Sequence, residues 1–187
     1  MEAFLVSITS VAIAEMGDRT QLLSLVLAAR YRRPWPILIG ILLATLASHT
    51  VAGIVGAWFG KFLSRGTLDV VVGVSMMAMA LWTLKPDELA EQDGKLSDSG
   101  VLVATLIAFF IAELGDKTQI ATLALAAAYP NLAAVIAGTT CGMLAANAPV
   151  VFLGKAFASR LPLKAIHIGA AALFAVLGVV FIVRGMR

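Results

Sequence analysis

Long apolar stretches fill most of this chain, and they constrain its fold more than any other feature of the sequence. A helix that crosses the hydrocarbon core of a bilayer needs about 20 mostly apolar residues, and six stretches meet that need. They cover residues 3–29, 35–60, 67–84, 101–128, 132–154 and 163–183. Apolar and polar residues do not alternate within them, as they would in the strands of a membrane barrel. The sequence therefore predicts an all-α polytopic membrane protein with six transmembrane helices.

The composition agrees with a membrane protein and excludes several soluble classes. Of the 187 residues, 60% are hydrophobic and only 13% are charged, about half the charged share of a typical soluble domain. The net charge of +3 is too small for a basic face that binds nucleic acid. We therefore expect the lipid bilayer, and no nucleic acid, among the partners of the chain. The single cysteine, Cys141, cannot form an internal disulfide.

A polar block of seven residues occurs twice in the chain. Glu15-Met16-Gly17-Asp18-Arg19-Thr20-Gln21 recurs as Glu113-Leu114-Gly115-Asp116-Lys117-Thr118-Gln119, at an offset of 98 residues. Each block lies in the first of three apolar stretches, which predicts two three-helix repeats, over 1–84 and 101–187, joined by an acidic linker over 85–100. Because three is odd, the second repeat must enter the membrane from the opposite side. The sequence thus predicts two inverted repeats, an architecture in which transporters place their site at mid-membrane.

Positive charges between the apolar stretches predict which side of the membrane each connection occupies. With both termini outside, the cytoplasmic connections carry eight basic residues and the outer ones carry four. We therefore expect both termini outside and the 85–100 linker in the cytoplasm. The linker is expected to be a solvated connection, with a regulatory cation site as the alternative.

The acids of the two blocks are predicted to lie near the middle of the bilayer. They are Glu15, Asp18, Glu113 and Asp116. A charged side chain at that depth costs about 2.5–3.5 kcal/mol, so the acids must face the protein interior. Acids three residues apart share one face of a helix, so each pair can point at one site. The glycine between them weakens the helix and allows a locally opened turn.

Neutral side chains one turn further on would complete this site with oxygen ligands. They are Thr20, Gln21, Thr118 and Gln119. Carboxylate, hydroxyl and amide oxygens suit calcium, manganese or magnesium. The absence of Cys and His from both blocks argues against zinc or copper. The sequence therefore predicts a divalent metal site with the four acids as its ligands.

The charges of the two blocks predict how such a site would work. Arg19 and Lys117 are expected to balance charge and to hold helices together, because direct contact would repel a cation. With them, the four acids leave a net charge of −2, which matches one divalent ion. Carboxylates left without the ion repel each other and are poorly solvated, so they would take up protons. Alternating occupancy by a divalent cation and by protons is the chemistry of an antiporter. The alternative is that the acids only pair with the two bases to hold helices together.

Two further polar residues occupy matching positions in the two halves. His49 aligns with Asn147 at the same offset of 98 residues. Either they line the path of the ion, or they form interhelical hydrogen bonds. The methionines near the predicted site are expected to pack in the core rather than to bind a soft metal. They are Met76, Met77, Met79 and Met143.

The doubled Glu-x-Gly-Asp-(Lys/Arg)-(Thr/Ser) signature, in two three-helix halves around an acidic loop, resembles a known family. It is the divalent-cation/proton exchanger family that includes Golgi and chloroplast manganese/calcium transporters and bacterial manganese exporters, and the resemblance covers essentially the whole chain. It implies that the motif acids hold manganese or calcium and that no cofactor is needed. It also implies that the ion is moved out of the cytosol, or into an organelle, in exchange for protons. The short chain is most similar to the bacterial members, which implies the bacterial inner membrane.

Three other functions stay open from the sequence alone. One is a passive cation channel, for which a homodimer is one arrangement. Another is an exporter of small metabolites such as amino acids. The third is a membrane enzyme that uses a metal held by the same acids to hydrolyse a lipid phosphate. The chain offers no clear nucleophile or phosphate clamp for that reaction, so we expect a transporter and not an enzyme.

Overall fold

The computed structural model of the chain describes residues 1–84, 100–154 and 162–187. All regular secondary structure in these ranges is helical, which confirms the all-α fold class. The eight helices are α1 (Glu2–Glu15), α2 (Arg19–Tyr31), α3 (Pro34–Phe59), α4 (Arg65–Thr83), α5 (Val101–Glu113), α6 (Lys117–Ala128), α7 (Leu132–Leu153) and α8 (Leu163–Gly185). Apart from Gly100, the predicted linker over 85–100 lies outside the described residues.

Four helices, α3, α4, α7 and α8, are long and apolar enough to cross a membrane. The other four take the place of two predicted continuous stretches, 3–29 and 101–128. Each stretch is interrupted within its polar block, where Gly17 (φ 83°) and Gly115 (φ 72°) adopt the left-handed backbone. Glycine takes this conformation without a steric penalty, and a helix cannot continue through it. The prediction of a single helix over each stretch is therefore wrong, and the break lies at the glycine that was expected to weaken the helix. The arrangement of six spans stays a prediction.

The two halves of the chain pack in matching ways. Helix α1 packs on α7 as α5 packs on α3, and α2 packs on α7 as α6 packs on α3. Small residues allow these close approaches. A Cβ atom added at Gly40 would lie 2.8 Å from the Cβ of Thr105, and one added at Gly138 would lie 2.8 Å from the Cβ of Ser7. The two pairs are related by the 98-residue offset, so the repeat in sequence is also a repeat in packing.

Aromatic contacts show which helix ends lie together. Tyr129 follows α6; its hydroxyl donates to Glu2 Oε1 at the start of α1 (3.2 Å). Its ring packs edge-on against Phe181 near the end of α8, with centroids 6.1 Å apart. Burial and the Glu2 carboxylate raise the pKa of Tyr129 to about 12, so the phenol stays a donor. We call this the terminal end of the bundle. At the opposite end, Trp35 of α3 packs on Phe152 of α7 (5.6 Å).

Buried apolar side chains form two separate cores. The first core joins α4 and α8 to α1, α6 and the start of α7, with Met76, Met79 and Phe174 fully or almost fully buried. The second core joins α1, α2, α3, α5 and α7, with Phe109 and Met143 at its centre. Three of the methionines that the sequence predicted to pack are therefore core residues.

Candidate cation site

The two helix breaks place the acids of the polar blocks at helix ends. Glu15 is the last residue of α1, and Asp18 occupies the N-cap position of α2 without a side-chain capping hydrogen bond. In the second block, Glu113 ends α5 and Asp116 caps the start of α6. The acids of one block therefore belong to two different helices. The three-residue spacing predicted that the two acids share one face of a single helix, and this prediction is wrong.

The two glutamines stabilise the breaks. The Gly17 N–H donates to Gln21 Oε1 (2.8 Å), and the Gly115 N–H donates to Gln119 Oε1 at the same distance. The amide nitrogen of Gln21 donates to the Ala146 carbonyl of α7 (2.9 Å). That of Gln119 donates to Ser48 Oγ of α3 (3.0 Å). The glutamines thus satisfy backbone groups that a broken helix leaves open and attach each break to a long helix of the other half.

Three of the four acids come together. Glu15, Asp18 and Asp116 are buried, and each offers one carboxylate oxygen so that all three oxygens lie within 4.8 Å of one another. Calcium takes oxygen ligands at about 2.3–2.6 Å, so oxygens on opposite sides of the ion lie about 5 Å apart. The group therefore has the spacing and the ligand type of a site for a hard divalent cation. It contains acids of both repeats.

The basic residues of the two blocks pair across the repeats. Arg19 Nη2 lies 2.9 Å from Asp116 Oδ1, and Lys117 Nζ contacts Asp18 Oδ1. Each aspartate is thus paired with the base of the other block, which agrees with the predicted role of Arg19 and Lys117 in balancing charge. The side chain of Arg19 is 36% exposed, whereas that of Lys117 is 2% exposed.

The two glutamates have no such basic partner among the described residues. Glu15 Oε2 accepts a hydrogen bond from the Thr20 hydroxyl, and Glu113 Oε1 accepts one from the Thr45 hydroxyl of α3. The second oxygen of each, Glu15 Oε1 and Glu113 Oε2, is buried without a hydrogen-bond partner in the described part of the chain. Glu113 is not part of the three-acid group. The structure therefore gives each glutamate one open, buried oxygen.

The other predicted polar residues have different surroundings. Thr118 donates from its hydroxyl to Asp116 Oδ2 (3.0 Å). Asn147 accepts an interhelical hydrogen bond from Ser24 of α2 (2.6 Å) and donates to the Met143 carbonyl of its own helix (3.0 Å). His49 is fully buried, and neither of its ring nitrogens has a hydrogen-bond partner in the described residues.

Sequence reasoning missed the polar face of α3. Thr45 and Ser48 bind residues of the second block, and neither was among the predicted site residues. Their signal was the spacing of Thr45, Ser48 and His49, which places three polar side chains on one side of an apolar helix.

A buried group of carboxylates inside a bundle of apolar helices is typical of a membrane transporter, because ionisable residues within a membrane mark ion pathways. Comparison with known proteins gives its family. The model of the family described as "Divalent cation/proton antiporter GDT1" matches residues 3–91 and 101–187. The chain belongs to the GDT1 family.

Named relatives agree with this family. A "Putative manganese exporter" of Vibrio cholerae is 51% identical over 93% of this chain and 87% of its own length. The "Divalent cation/proton antiporter GDT1" of Saccharomyces cerevisiae is 24% identical over 97% of this chain and 84% of its own. A GDT1-like protein of Synechocystis is 27% identical over 96% of both chains. No solved structure matches the chain.

Proposed function

We propose that the chain exports manganese from the cytosol in exchange for protons. Glu15, Asp18 and Asp116 hold the ion, and Glu113 is a further acid of the same site. In this proposal six spans form two inverted repeats, over 1–84 and 101–187, in a bacterial inner membrane. Both termini lie outside, and the 85–100 linker is cytoplasmic. Calcium is the alternative cargo, because oxygen ligands bind both ions.

One observation carries the exchange mechanism, namely the unequal pairing of the four acids. Asp18 and Asp116 are each paired with a base of the other repeat. The net charge of −2 therefore falls on Glu15 and Glu113, which have open oxygens and no basic partner in the described residues. One divalent ion would neutralise both glutamates, and so would two protons. Exchanging one for the other leaves the charge of the buried site unchanged, which avoids an uncompensated charge in low-dielectric surroundings.

The choice of manganese as the cargo rests on the similarity of this chain to a named relative. The Vibrio cholerae relative, at 51% identity, is named a manganese exporter. The yeast relative is named a divalent cation/proton antiporter, which supports proton coupling in this chain. Both likenesses extend over more than nine tenths of the chain.

The test is transport in proteoliposomes that carry a pH gradient and no manganese gradient. The intact chain is expected to accumulate manganese against its gradient while the pH difference lasts. Glu15→Gln and Glu113→Gln are each expected to abolish accumulation. Glutamine keeps an oxygen to accept from Thr20 or Thr45 but cannot carry the exchanged charge. Glu2→Gln, at the terminal end and outside the site, is the matched control and is expected to transport normally.

Two results would contradict the proposal. Normal accumulation by both site variants would remove the glutamates from the mechanism. Flux that runs only downhill and ignores the pH gradient would identify a passive channel instead of an exchanger. Parallel uptake of calcium and magnesium separates the candidate cargoes.

A further inference from the structure

The α4–α8 pair breaks the matching of the two halves. These two helices, which are equivalent elements of the two repeats, pack on each other along their length. As a pair they also pack on α6, through α4, and on α1, through α8. The 98-residue offset relates α1 to α5, α2 to α6 and α4 to α8. If the two halves packed identically, α8 would therefore also contact α2, and α4 would also contact α5. Within the described ranges, neither of these contacts is substantial.

The two cores show the same imbalance. The core that contains α4 and α8 side chains, such as Met76 and Phe174, also contains residues of α1 and α6. The core that contains residues of α2 and α5, such as Leu27 and Phe109, contains none from α4 or α8. The α4–α8 pair therefore covers α1 and α6 and leaves α2 and α5 uncovered.

The two helix breaks differ in exposure, and the more exposed break is the one between α5 and α6. Leu114 is 55% exposed and Gly115 is also exposed, while their counterparts Met16 and Gly17 are half-buried and buried. Irregular backbone at membrane depth does not face lipid; it is buried in protein or lines a water-filled cavity. Since the Gly115 break is not buried among the described residues, we expect it to line an aqueous crevice. Arg19, more exposed than its counterpart Lys117, lies on the same side.

The direction of this crevice follows from the helix order. Helices α1 and α6 extend from the breaks to the terminal end, where Glu2 and Tyr129 meet. Helices α2 and α5 extend from the breaks to the opposite end, to Tyr31 and Val101. Covered α1 and α6 close the site toward the terminal end. Uncovered α2 and α5 leave it open toward the opposite end.

We propose that the α4–α8 pair is the moving gate of the transporter and that the structure is the state open at the opposite end. In the other state the pair leaves α1 and α6 and packs on α2 and α5, which exposes the Gly17 break and covers the Gly115 break. This inference rests on the proposed function, because a gate has a role only if the chain carries an ion across the membrane. With the proposed orientation, the site opens here to the cytoplasm, as loading of an exported ion requires.

Contacts at the terminal end indicate how the gate holds together and how it closes. Arg184 of α8 lies 2.9 Å from Asp69 of α4, which joins the two helices of the pair. The Arg184 guanidinium also lies 5.7 Å from the Phe181 ring centre. Phe181 in turn packs on Tyr129 after α6, and this contact joins the moving pair to the static part of the bundle. The contact between Tyr129 and Phe181 must break when the gate opens outward.

The first test measures water access to the two breaks. Leu114→Cys and Met16→Cys, matched by the 98-residue offset, are made in a Cys141→Ser background. A charged, membrane-impermeant thiol reagent is added from each side of proteoliposomes. Leu114→Cys is expected to react from the side of the opposite end at least about tenfold faster than Met16→Cys, because only a hydrated thiolate reacts. Equal rates, or no reaction at Leu114→Cys from either side, would overturn the proposal.

The second test locks the gate with a short bifunctional thiol reagent. Cross-linking Tyr129→Cys to Phe181→Cys is expected to stop flux while labelling at position 114 persists. Cross-linking Asp69→Cys to Arg184→Cys, within the pair, is the control and is expected to leave flux intact. Full flux with the first cross-link would refute the moving gate. Because labelling does not depend on proton coupling, one-sided labelling without exchange would reject the proposed function and retain the gate.

Discussion

Removing the Lys117 amine should destabilise the protein more than removing the Arg19 guanidinium. The side chain of Lys117 is 2% exposed, and that of its partner Asp18 is fully buried. Lys117→Gln removes one ion pair of the Asp18 carboxylate inside the bundle. Breaking a buried pair in this way costs about 3–5 kcal/mol. At about 2–4 °C per kcal/mol for a chain of this size, the Tm should fall by about 6–20 °C.

The double variant separates loss of the pair from loss of one charge. Asp18→Asn with Lys117→Gln removes both charges and keeps their approximate shapes, so most of the stability should return. The coupling free energy between the two positions should then be at least about 2 kcal/mol. Arg19→Gln breaks the equivalent pair with Asp116. The Asp116 side chain is only 4% exposed, but Arg19 is 36% exposed, so water can enter the space that the guanidinium leaves. The Tm of Arg19→Gln should therefore fall less than that of Lys117→Gln.

The assay is thermal unfolding of the purified chain in one detergent at fixed pH and salt. Each variant is measured beside the intact chain, and the double-mutant cycle is closed with Asp18→Asn alone. Equal falls for Lys117→Gln and Arg19→Gln would refute the argument from burial. Additive effects of the Asp18 and Lys117 changes would refute the pairing itself.

Two other predictions concern packing and proton competition. Gly56→Ala should lower the Tm, because its Cβ would overlap the Leu123 carbonyl of α6 and overpacking costs about 1–3 kcal/mol. Gly169→Ala, which meets open space, is the control and should not lower it. Manganese affinity, measured by calorimetry, should fall between about pH 8 and about pH 5, because the acids bind metal only when deprotonated; an unchanged affinity would contradict proton competition.

Much of the fold was predictable because apolar length and the repeat are both written in the sequence. The stretches 35–60, 67–84, 132–154 and 163–183 correspond to the four long helices within a few residues. For the breaks, the sequence predicted a weakened helix at each glycine but not the end of one helix and the start of another. Glycine was recognised as a weak point, but a single glycine inside an apolar run is often tolerated in a helix. The N–H groups of Gly17 and Gly115 favour the break only because a glutamine four residues on accepts from each.

The identities of the site acids were predictable, whereas their pairing was not. Charges at mid-bilayer must face inward, and this argument selects Glu15, Asp18, Glu113 and Asp116 without any structure. The structure brings three of these four together and leaves Glu113 outside the group. That Lys117 pairs with Asp18 of the other block depends on how the two halves meet. Sequence separation carries no information about such a contact. The contribution of Thr45 was missed for the same reason, since it approaches Glu113 from a different half.

The order of residues in each block explains why its two acids have different roles. A helix carries about half a positive charge at its N-terminus and half a negative charge at its C-terminus. Asp18 and Asp116 occupy N-cap positions, where a carboxylate is stabilised, and they stay paired with bases. Glu15 and Glu113 end α1 and α5, where the helix carbonyls repel an anion. A positive charge is therefore needed most at the glutamates, whether a metal ion or protons supply it. Because the glycine break lies between the two acids, one short block places one acid at a helix N-terminus and the other at a helix C-terminus. In the proposed exchange, the first is the fixed anion and the second is the exchangeable one.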